Sequence, residues 1–412
     1  MAIRLLRNRN FILLWSSQIL SQLSINIMNF IVLVHIFEST NSTIAASFVW
    51  VAYGVPAIII GPIAAAAVDL FDKRKILMIA NLVQAVEIFI YAILLRKFIY
   101  LSYGIVAAYS LMDQLYVPAE SASLPSLVNK KNLAQANGLF FISAQSAALL
   151  GFEMAGLISE VIGFQITMLL GSVMLLTAFA STYFLPRLKS ASLKKSKSVE
   201  EKFYEFLGRM KEGFVFIRHN NTILFPFLFL MWLQISLAML VVNLPEIGVN
   251  ILKTKPSLAG PLVVGPAGIG ALIGTLLIPR ILKRGIRKVK IVEISLVVMA
   301  FSFLMVVFTA PVFEFWIGRL ILITCFAFIG ATYVCALIPS MTYMQTQTPN
   351  KLMGRLFGNF WFITNTATLI PVMFSATITE LLGVNLMILL LGFMAMGILF
   401  LLKTYAYPAI SE

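Results

Sequence analysis

The chain has 412 residues, of which 60% are hydrophobic and only 12% are charged. An ordinary soluble domain carries about twice that share of charged residues, so a water-soluble core cannot account for so much apolar surface. The composition therefore excludes a typical soluble protein and indicates a chain for which the lipid bilayer is the main solvent.

Twelve apolar stretches are each long enough for a membrane-spanning helix, which needs about 20 residues. In chain order, spans one to twelve run roughly over 11–37, 43–68, 76–95, 100–127, 133–159, 164–185, 222–250, 259–282, 289–309, 312–340, 351–381 and 384–404. The first stretch follows Arg4, Arg7 and Arg9 and is too long for a signal-peptide core. It therefore predicts a retained span rather than a cleaved signal.

The basic residues are unevenly shared between the connecting segments. If both termini are cytoplasmic, most Lys and Arg lie on the cytoplasmic side: the N-terminus, Lys73 to Lys75, Lys130, Lys131, the segment 186–221, Arg280 to Lys290, Lys351, Arg355 and Lys403. The outer loops hold only Arg96, Lys97, Lys253 and Lys255. This bias predicts a multi-pass protein of the cell membrane, and it argues against nucleic acid as the reason for the net charge of +14.

A polar segment divides the chain into two halves. The predicted domains are a six-helix bundle over 1–185, a linker over 186–221 and a second six-helix bundle over 222–412. From Val199 onward, apolar residues recur at helical spacing, which predicts an amphipathic helix on the cytoplasmic membrane surface. A solvated connector with a short helix fits the same pattern.

The two halves resemble each other in sequence. FILLWSSQ at 11–18 is similar to FLFLMWLQ at 227–234, and NKKNLAQANGLFFI at 129–142 is similar to TPNKLMGRLFGNFWFI at 348–363. Repeated halves are typical of secondary transporters, in which two bundles rock around a site at the membrane midplane. We therefore predict an all-α membrane protein with twelve transmembrane helices in two pseudo-symmetric bundles.

Four amide side chains share one face of span one: Gln18, Gln22, Asn26 and Asn29. Lipid satisfies none of their hydrogen bonds, so the stripe indicates a cavity that holds water or a polar ligand. The alternative is that these amides join neighbouring helices by hydrogen bonds.

Three carboxyl groups lie inside predicted spans: Asp113 near the middle of span four, Glu120 nearer its cytoplasmic end, and Glu153 in span five. A carboxyl group in a low-dielectric environment holds its proton more tightly, so it can load and release a proton near physiological pH. Asp113 and Glu153 are the candidates for proton coupling, although a permanently protonated or paired structural role fits them too. In span ten, Arg319 could pair with a carboxylate, bind an anion or extend to the membrane surface.

The segment GPIAAAAVDLFDKRK at 61–75 resembles the loop between spans two and three of the major facilitator superfamily. Asp69 matches the acid of that motif, and Arg74 and Lys75 match its basic end. Two positions depart from the motif, Ala65 and Leu70. In the family this loop latches the cytoplasmic side of the two halves in one state, so the resemblance implies a gating role for Asp69, Arg74 and Lys75.

Further segments resemble the branch of this superfamily that contains macrolide-efflux pumps and the enterobactin exporter. They are VPAE at 117–120, Leu124-Pro125, NLAQANG at 132–138 and QTQTPNKLMGR at 345–355. Residues 151–156 resemble the span-five antiporter motif, with Phe152 in place of its usual proline. The resemblance implies the major facilitator fold and proton-driven export of small, largely apolar or siderophore-like molecules. Glu120 and Arg355 join the gating candidates.

The leading hypothesis is a proton-coupled exporter that works as a monomer, with a small molecule and protons as partners, membrane lipids around it and no cofactor. The predicted substrate-binding residues are Gln22, Asn26, Asn29, Asp113, Gln234, Asn243 and Asn365. A lipid or lysophospholipid translocator of the same fold and a transport-inactive membrane receptor are the alternatives. An enzyme is disfavoured, because the two histidines lie far apart and the sequence has neither H-E-x-x-H nor a phosphate-binding G-x-x-x-x-G-K-[ST] loop.

Overall fold

The computed structural model describes residues 5–68, 71–95, 98–129, 132–188, 199–309, 315–349 and 352–406. The described residues are almost entirely helical and include no β-strand. Several residues singled out from the sequence lie outside these ranges: Arg4, Asp69, Leu70, Arg96, Lys97, Lys130, Lys131 and Lys351.

Five long helices form most of the N-terminal part: α1 (Arg9–Thr40), α2 (Thr43–Val68), α3 (Lys73–Ile90), α4 (Ile99–Leu127) and α5 (Leu133–Tyr183). Asn8 caps α1, because its side-chain oxygen accepts hydrogen bonds from the backbone N–H groups of Asn10 and Phe11. The Asn8 amide group also donates to the Leu127 carbonyl at 2.8 Å. One asparagine thus begins α1 and fixes it to the end of α4.

Helix α5 is a run of 51 residues, about twice the length of one membrane crossing. It is broken at Gly163, whose φ of 79° and ψ of 165° lie outside helical values. Left-handed φ values are accessible to glycine because it has no Cβ. The break separates two spans, close to where the sequence predicts the division between spans five and six.

Seven long helices follow, with shorter helical segments between them: α6 (Val199–His219), α7 (Asn221–Val242), α8 (Gly265–Lys283), α9 (Lys288–Thr309), α10 (Phe315–Gln347), α11 (Met353–Leu382) and α12 (Val384–Leu401). Ten helices in the described part of the chain are long and apolar enough to cross a membrane. One of these is the broken run of α5, and α4 is a further helix of 29 residues whose polar side chains lower its hydropathy. This pattern agrees with the predicted fold class.

The chain forms two compact units, one containing Met1–Asn41 and Phe48–Leu207 and the other containing Ser42–Ser47 and Gly208–Glu412. In the first unit, a hydrophobic core joins α1, α3 and α4 through Phe11, Leu14, Leu77 and Tyr116, which are all fully buried. The first turn of α2 is grouped with the second unit, while the rest of that helix belongs to the first.

In the second unit, α8 and α10 pack at glycine contacts. A Cβ atom placed on Gly270 would overlap the Ala327 carbonyl oxygen, and one placed on Gly330 would overlap the Ala267 carbonyl oxygen. Small residues permit such close approach of helices in membranes. Gly270 and Gly330 therefore allow the backbones of α8 and α10 to pack against each other.

The joint between α11 and α12 is built like the break in α5. Gly383 alone separates the two helices, with φ of 91° and ψ of 151°. The preceding residues are also similar, since ISEVIG ends at Gly163 and ITELLG ends at Gly383. This pair extends the internal repeat beyond the segments recognised in the sequence.

Candidate functional site

Asp113 is buried in the first unit, where its side chain is 6% exposed. The Tyr53 hydroxyl on α2 donates a hydrogen bond to Asp113 Oδ2 at 2.6 Å. One turn before Asp113, Ser110 Oγ donates to the Tyr53 carbonyl oxygen at 2.6 Å, so α2 and α4 are joined twice at this level. Within the described ranges, Asp113 makes no ion pair, and Tyr53 is its one hydrogen-bond partner.

Glu120 lies two turns further along α4 and is also 6% exposed. Its Oε1 atom has no hydrogen-bond partner among the described residues. About one helical turn before Glu120, the Tyr116 hydroxyl lies 2.9 Å from Ser17 Oγ, which accepts a hydrogen bond from Asn81 Nδ2 at 3.1 Å. This buried network joins α1, α3 and α4, and the sequence analysis did not identify it.

The amide stripe of α1 divides between two roles. Gln18 Nε2 donates to the Phe140 carbonyl at 3.1 Å, and Gln18 Oε1 accepts from Ser143 Oγ at 2.7 Å, so this residue joins α1 to α5. Asn26 Nδ2 donates to the Gln22 carbonyl of its own helix at 2.7 Å. Asn29 Oδ1 is buried without a hydrogen-bond partner in the described structure. A buried amide oxygen without a protein partner is available to accept a hydrogen bond from water or from a ligand.

Helix α5 packs closely against α1 at Gly151. A Cβ atom there would lie 2.6 Å from the Asn26 Cβ, so the contact requires glycine. Phe152 packs its ring on Phe30 of α1, with the ring centroids 5.6 Å apart. Glu153 is half-buried and lies two residues after Gly151, which turns it by about 200° around the helix. Glu153 therefore lies on the face of α5 turned away from α1.

The polar candidates of the second unit occupy different environments. Asn243 is fully buried, and its Nδ2 atom donates to the Met239 carbonyl at 2.7 Å and to Ser375 Oγ at 3.1 Å, which joins α7 to α11. Gln234 is half-buried and Asn365 is exposed. Arg319 donates to the backbone carbonyl oxygens of Leu252 and Lys253, at 3.2 and 3.3 Å.

The basic end of the loop motif is fixed to the end of α5. The Arg74 guanidinium donates a hydrogen bond to the Tyr183 carbonyl oxygen and lies 5.5 Å from the centre of the Tyr183 ring. Asp72 caps α3 by accepting from the Arg74 backbone N–H at 3.0 Å, a role the sequence analysis did not foresee. Lys75 is exposed.

Helix α6 is docked on the first turns of α11. Arg355 forms an ion pair with Glu212, and Asn359 Nδ2 donates to the Met210 carbonyl at 2.9 Å. A Cβ atom on Gly213 would collide with the Asn359 amide group. The amphipathic helix predicted from Val199 is thus present, and its buried face includes Gly213.

We expect Gly213→Val to release this part of α6, because the added side chain has to displace Asn359 or the α11 backbone. Gly208→Val on the same helix is the matched control, since nothing lies within 4 Å of a Cβ atom there. Limited trypsin digestion of the purified protein measures the effect, and Gly213→Val should be cut in the linker several-fold faster than Gly208→Val. Equal digestion rates would contradict the docking of α6.

Glu380 near the end of α11 caps the first turn of α2. Its Oε2 atom accepts from Ser42 Oγ at 2.6 Å and from the Ile44 backbone N–H at 2.9 Å. A carboxylate at a helix N-terminus satisfies an unpaired N–H group and interacts favourably with the helix dipole. This capped turn belongs to the second unit, together with α11.

Sequence comparisons identify related proteins over most of the chain. The family description Major Facilitator Superfamily matches residues 14–370. The uncharacterized MFS-type transporter YfiS of Bacillus subtilis (strain 168) is 24% identical over 365 residues, which cover 86% of this chain and 83% of that protein. The uncharacterized MFS-type transporter YjbB of the same organism is 26% identical over 165 residues, which cover 39% of this chain and 41% of YjbB.

Solved structures share the fold at low sequence identity. The crystal structure of the nucleoside transporter NupG matches with a TM-score of 0.69 and 16% identity, covering 95% of this chain and 98% of NupG. A POT family transporter in complex with 5-aminolevulinic acid matches with a TM-score of 0.73 and 13% identity, covering 98% and 97%. With the family match over most of its length, the chain is a multi-pass membrane transporter, rather than an enzyme, and belongs to the major facilitator superfamily.

Proposed function

We propose that this transporter is a proton-coupled exporter of small, largely hydrophobic molecules, such as drugs or siderophore-like compounds. It would act as a monomer in the cell membrane, with both termini in the cytoplasm. The resemblance of residues 117–138 and 345–355 to the macrolide-efflux and enterobactin-exporter branch supports the direction and the class of substrate.

The Tyr53–Asp113 pair carries this proposal. An ionised carboxylate without a cation is costly in a low-dielectric environment, so this carboxyl group is suited to exchange a proton rather than to remain charged. When ionised, it accepts a charge-assisted hydrogen bond from the Tyr53 hydroxyl. When protonated, it retains only a neutral hydrogen bond of about half that strength. Proton loading would therefore loosen the tie between α2 and α4.

Glu153 is the second proposed proton carrier. It is half-buried, and it makes no hydrogen bond or ion pair with another described residue. Its helix contacts α1 at Gly151, two residues away, so a change of charge at Glu153 occurs close to this contact. For substrate binding we propose Gln22, Asn26, Asn29, Asp113, Gln234, Asn243 and Asn365, among which Asn29 and Asn243 each have a buried amide oxygen without a hydrogen-bond partner among the described residues.

The proposed gating residues are Asp69, Arg74, Lys75, Glu120 and Arg355. Two of them have partners that support a latching role: Arg74 bonds to the end of α5, and Arg355 pairs with Glu212 on α6. To this set we add Glu380, because its carboxylate holds the first turn of α2 against the end of α11.

Proton movement in proteoliposomes tests the proposal. The purified protein is reconstituted with a pH-sensitive dye inside the vesicles, and macrolides, other hydrophobic drugs, siderophores and lysolipids are added in turn. We expect at least one compound to cause proton movement that an uncoupler abolishes. Flipping of a fluorescent lysolipid without proton movement would replace the proposal with lipid translocation. If the protein is folded and none of these compounds causes proton movement, the proposed substrate class is contradicted.

A further inference from the structure

A half-open, largely apolar cavity lies in the second unit, where the ends of four spans meet. It is lined by the beginning of α7, the beginning of α9, the end of α10 and Leu402, which follows α12. Most of the lining is apolar, and includes Phe225, Phe229, Val289, Val292 and Pro339. No residue of the proposed transport machinery contributes to this cavity.

A basic side chain stands at its rim. Lys288, the first residue of α9, lines the cavity, is half-buried and forms no ion pair with a described residue. Five more basic residues lie within eight positions of it, and all five are exposed: Arg280, Lys283, Arg284, Arg287 and Lys290. Lys403 is exposed next to Leu402. The rim of the cavity therefore favours an anion, while its walls favour hydrocarbon.

The charged and apolar groups of the cavity follow one another along α9, as the headgroup and the hydrocarbon of an amphipathic ligand do. Val292 lies one helical turn beyond Lys288, about 6 Å further along α9. Tyr343 also lines the cavity and belongs to the last turns of α10, where an aromatic side chain with a polar end suits the membrane interface. Glu293 lines the cavity five residues after Lys288 and is engaged by another group, so its carboxylate is not a free charge at the rim.

We propose that this cavity binds an anionic phospholipid. Lys288 binds the phosphate, and the surrounding basic residues add a diffuse electrostatic attraction. The part of one acyl chain nearest the headgroup lies among Phe225, Phe229 and Val292. A basic pocket between spans is a recognised kind of site for acidic lipid headgroups. The proposal does not depend on the direction of transport or on the substrate.

Lipid titration of the full-length purified protein tests this site. Native mass spectrometry in a mild detergent measures the binding of dioleoylphosphatidylglycerol, dioleoylphosphatidylcholine and inorganic phosphate. Lys288→Ala removes the rim charge, and Lys290→Ala is its control, because it removes an equal charge outside the cavity. Val289→Phe fills the cavity, and Ile294→Phe is the control on the exposed face of the same helix.

We expect phosphatidylglycerol to bind more tightly than phosphatidylcholine, and phosphate alone to compete poorly. Lys288→Ala should weaken phosphatidylglycerol binding about tenfold, since a hydrogen bond to a charged group is lost. Lys290→Ala should leave it within about twofold. Val289→Phe should weaken the binding of both lipids, and Ile294→Phe should weaken the binding of neither.

Equal losses in Lys288→Ala and Lys290→Ala would overturn the proposal in favour of a diffuse basic surface. Competition by inorganic phosphate as effective as that by the lipid would show a free-anion site instead. If Lys288→Ala fails to fold, the Val289→Phe and Ile294→Phe pair decides, because unchanged binding in Val289→Phe excludes an acyl chain in the cavity.

Discussion

Replacing Gly270 by alanine should destabilise the protein, although alanine normally stabilises a helix. In a helix interior, alanine is favoured over glycine by about 1 kcal/mol. Here the added methyl group would overlap the Ala327 carbonyl oxygen, which is backbone and cannot rotate away. Forcing α8 and α10 apart should outweigh the gain in propensity, since overpacking typically costs about 1–3 kcal/mol. Thermal unfolding of the purified protein, followed by size-exclusion chromatography, measures the difference.

Gly397→Ala on α12 is the matched control for this prediction. It also lies inside an apolar helix, but nothing lies within 4 Å of a Cβ atom built there. Its unfolding temperature should be equal to or higher than that of the wild type. If Gly270→Ala unfolded at the same temperature as Gly397→Ala, that result would contradict the close contact between α8 and α10.

Asp113→Asn should separate proton coupling from substrate binding. The asparagine oxygen can still accept the hydrogen bond from Tyr53, so the packing of α2 on α4 should be retained. The amide cannot take up a proton at neutral pH. Substrate accumulation driven by a pH gradient should therefore fall by at least about tenfold, which corresponds to 1.4 kcal/mol. Exchange of labelled for unlabelled substrate at equal pH should continue.

Asp72→Asn provides the comparison for loss of a carboxyl group. Asparagine caps helices about as well as aspartate, so α3 should be unaffected. Asp72 also lies outside the buried pair, so gradient-driven accumulation should be unchanged. Wild-type accumulation in Asp113→Asn would transfer the coupling role to Glu153. Loss of both accumulation and exchange would indicate a binding or structural role for Asp113.

The hydropathy pattern was sufficient to predict a bundle of membrane-spanning helices. Each span requires about 20 apolar residues, and in lipid only helices and closed barrels satisfy every backbone hydrogen bond. For α4 the sequence predicts a span over 100–127, and the helix runs over Ile99–Leu127, although its buried polar residues lower its hydropathy. Asp113 was identified because a carboxyl group is conspicuous in an apolar stretch. Tyr53 was not, because nothing in a tyrosine at that position of span two indicates its partner on span four.

Contacts that depend on three-dimensional packing were beyond the sequence. The amides of α1 share one helix face, yet Gln18 bonds to α5 and Asn29 has an unpaired oxygen, a difference set by which neighbour each one meets. The docking of α6 depends on Gly213 and Asn359, neither of which stands out in a polar linker or an apolar span. The similarity of ISEVIG to ITELLG, in contrast, was readable from the letters alone.

The two glycine joints have a practical consequence for mapping topology. Gly163 is the single break within α5 and Gly383 alone separates α11 from α12, so neither connection offers a loop that could be lengthened or cleaved without disturbing two helices. An epitope tag or protease site inserted there should disrupt the protein rather than report its sidedness. The exposed side chains of Lys253 and Lys255, between α7 and α8, are better positions for an accessible label.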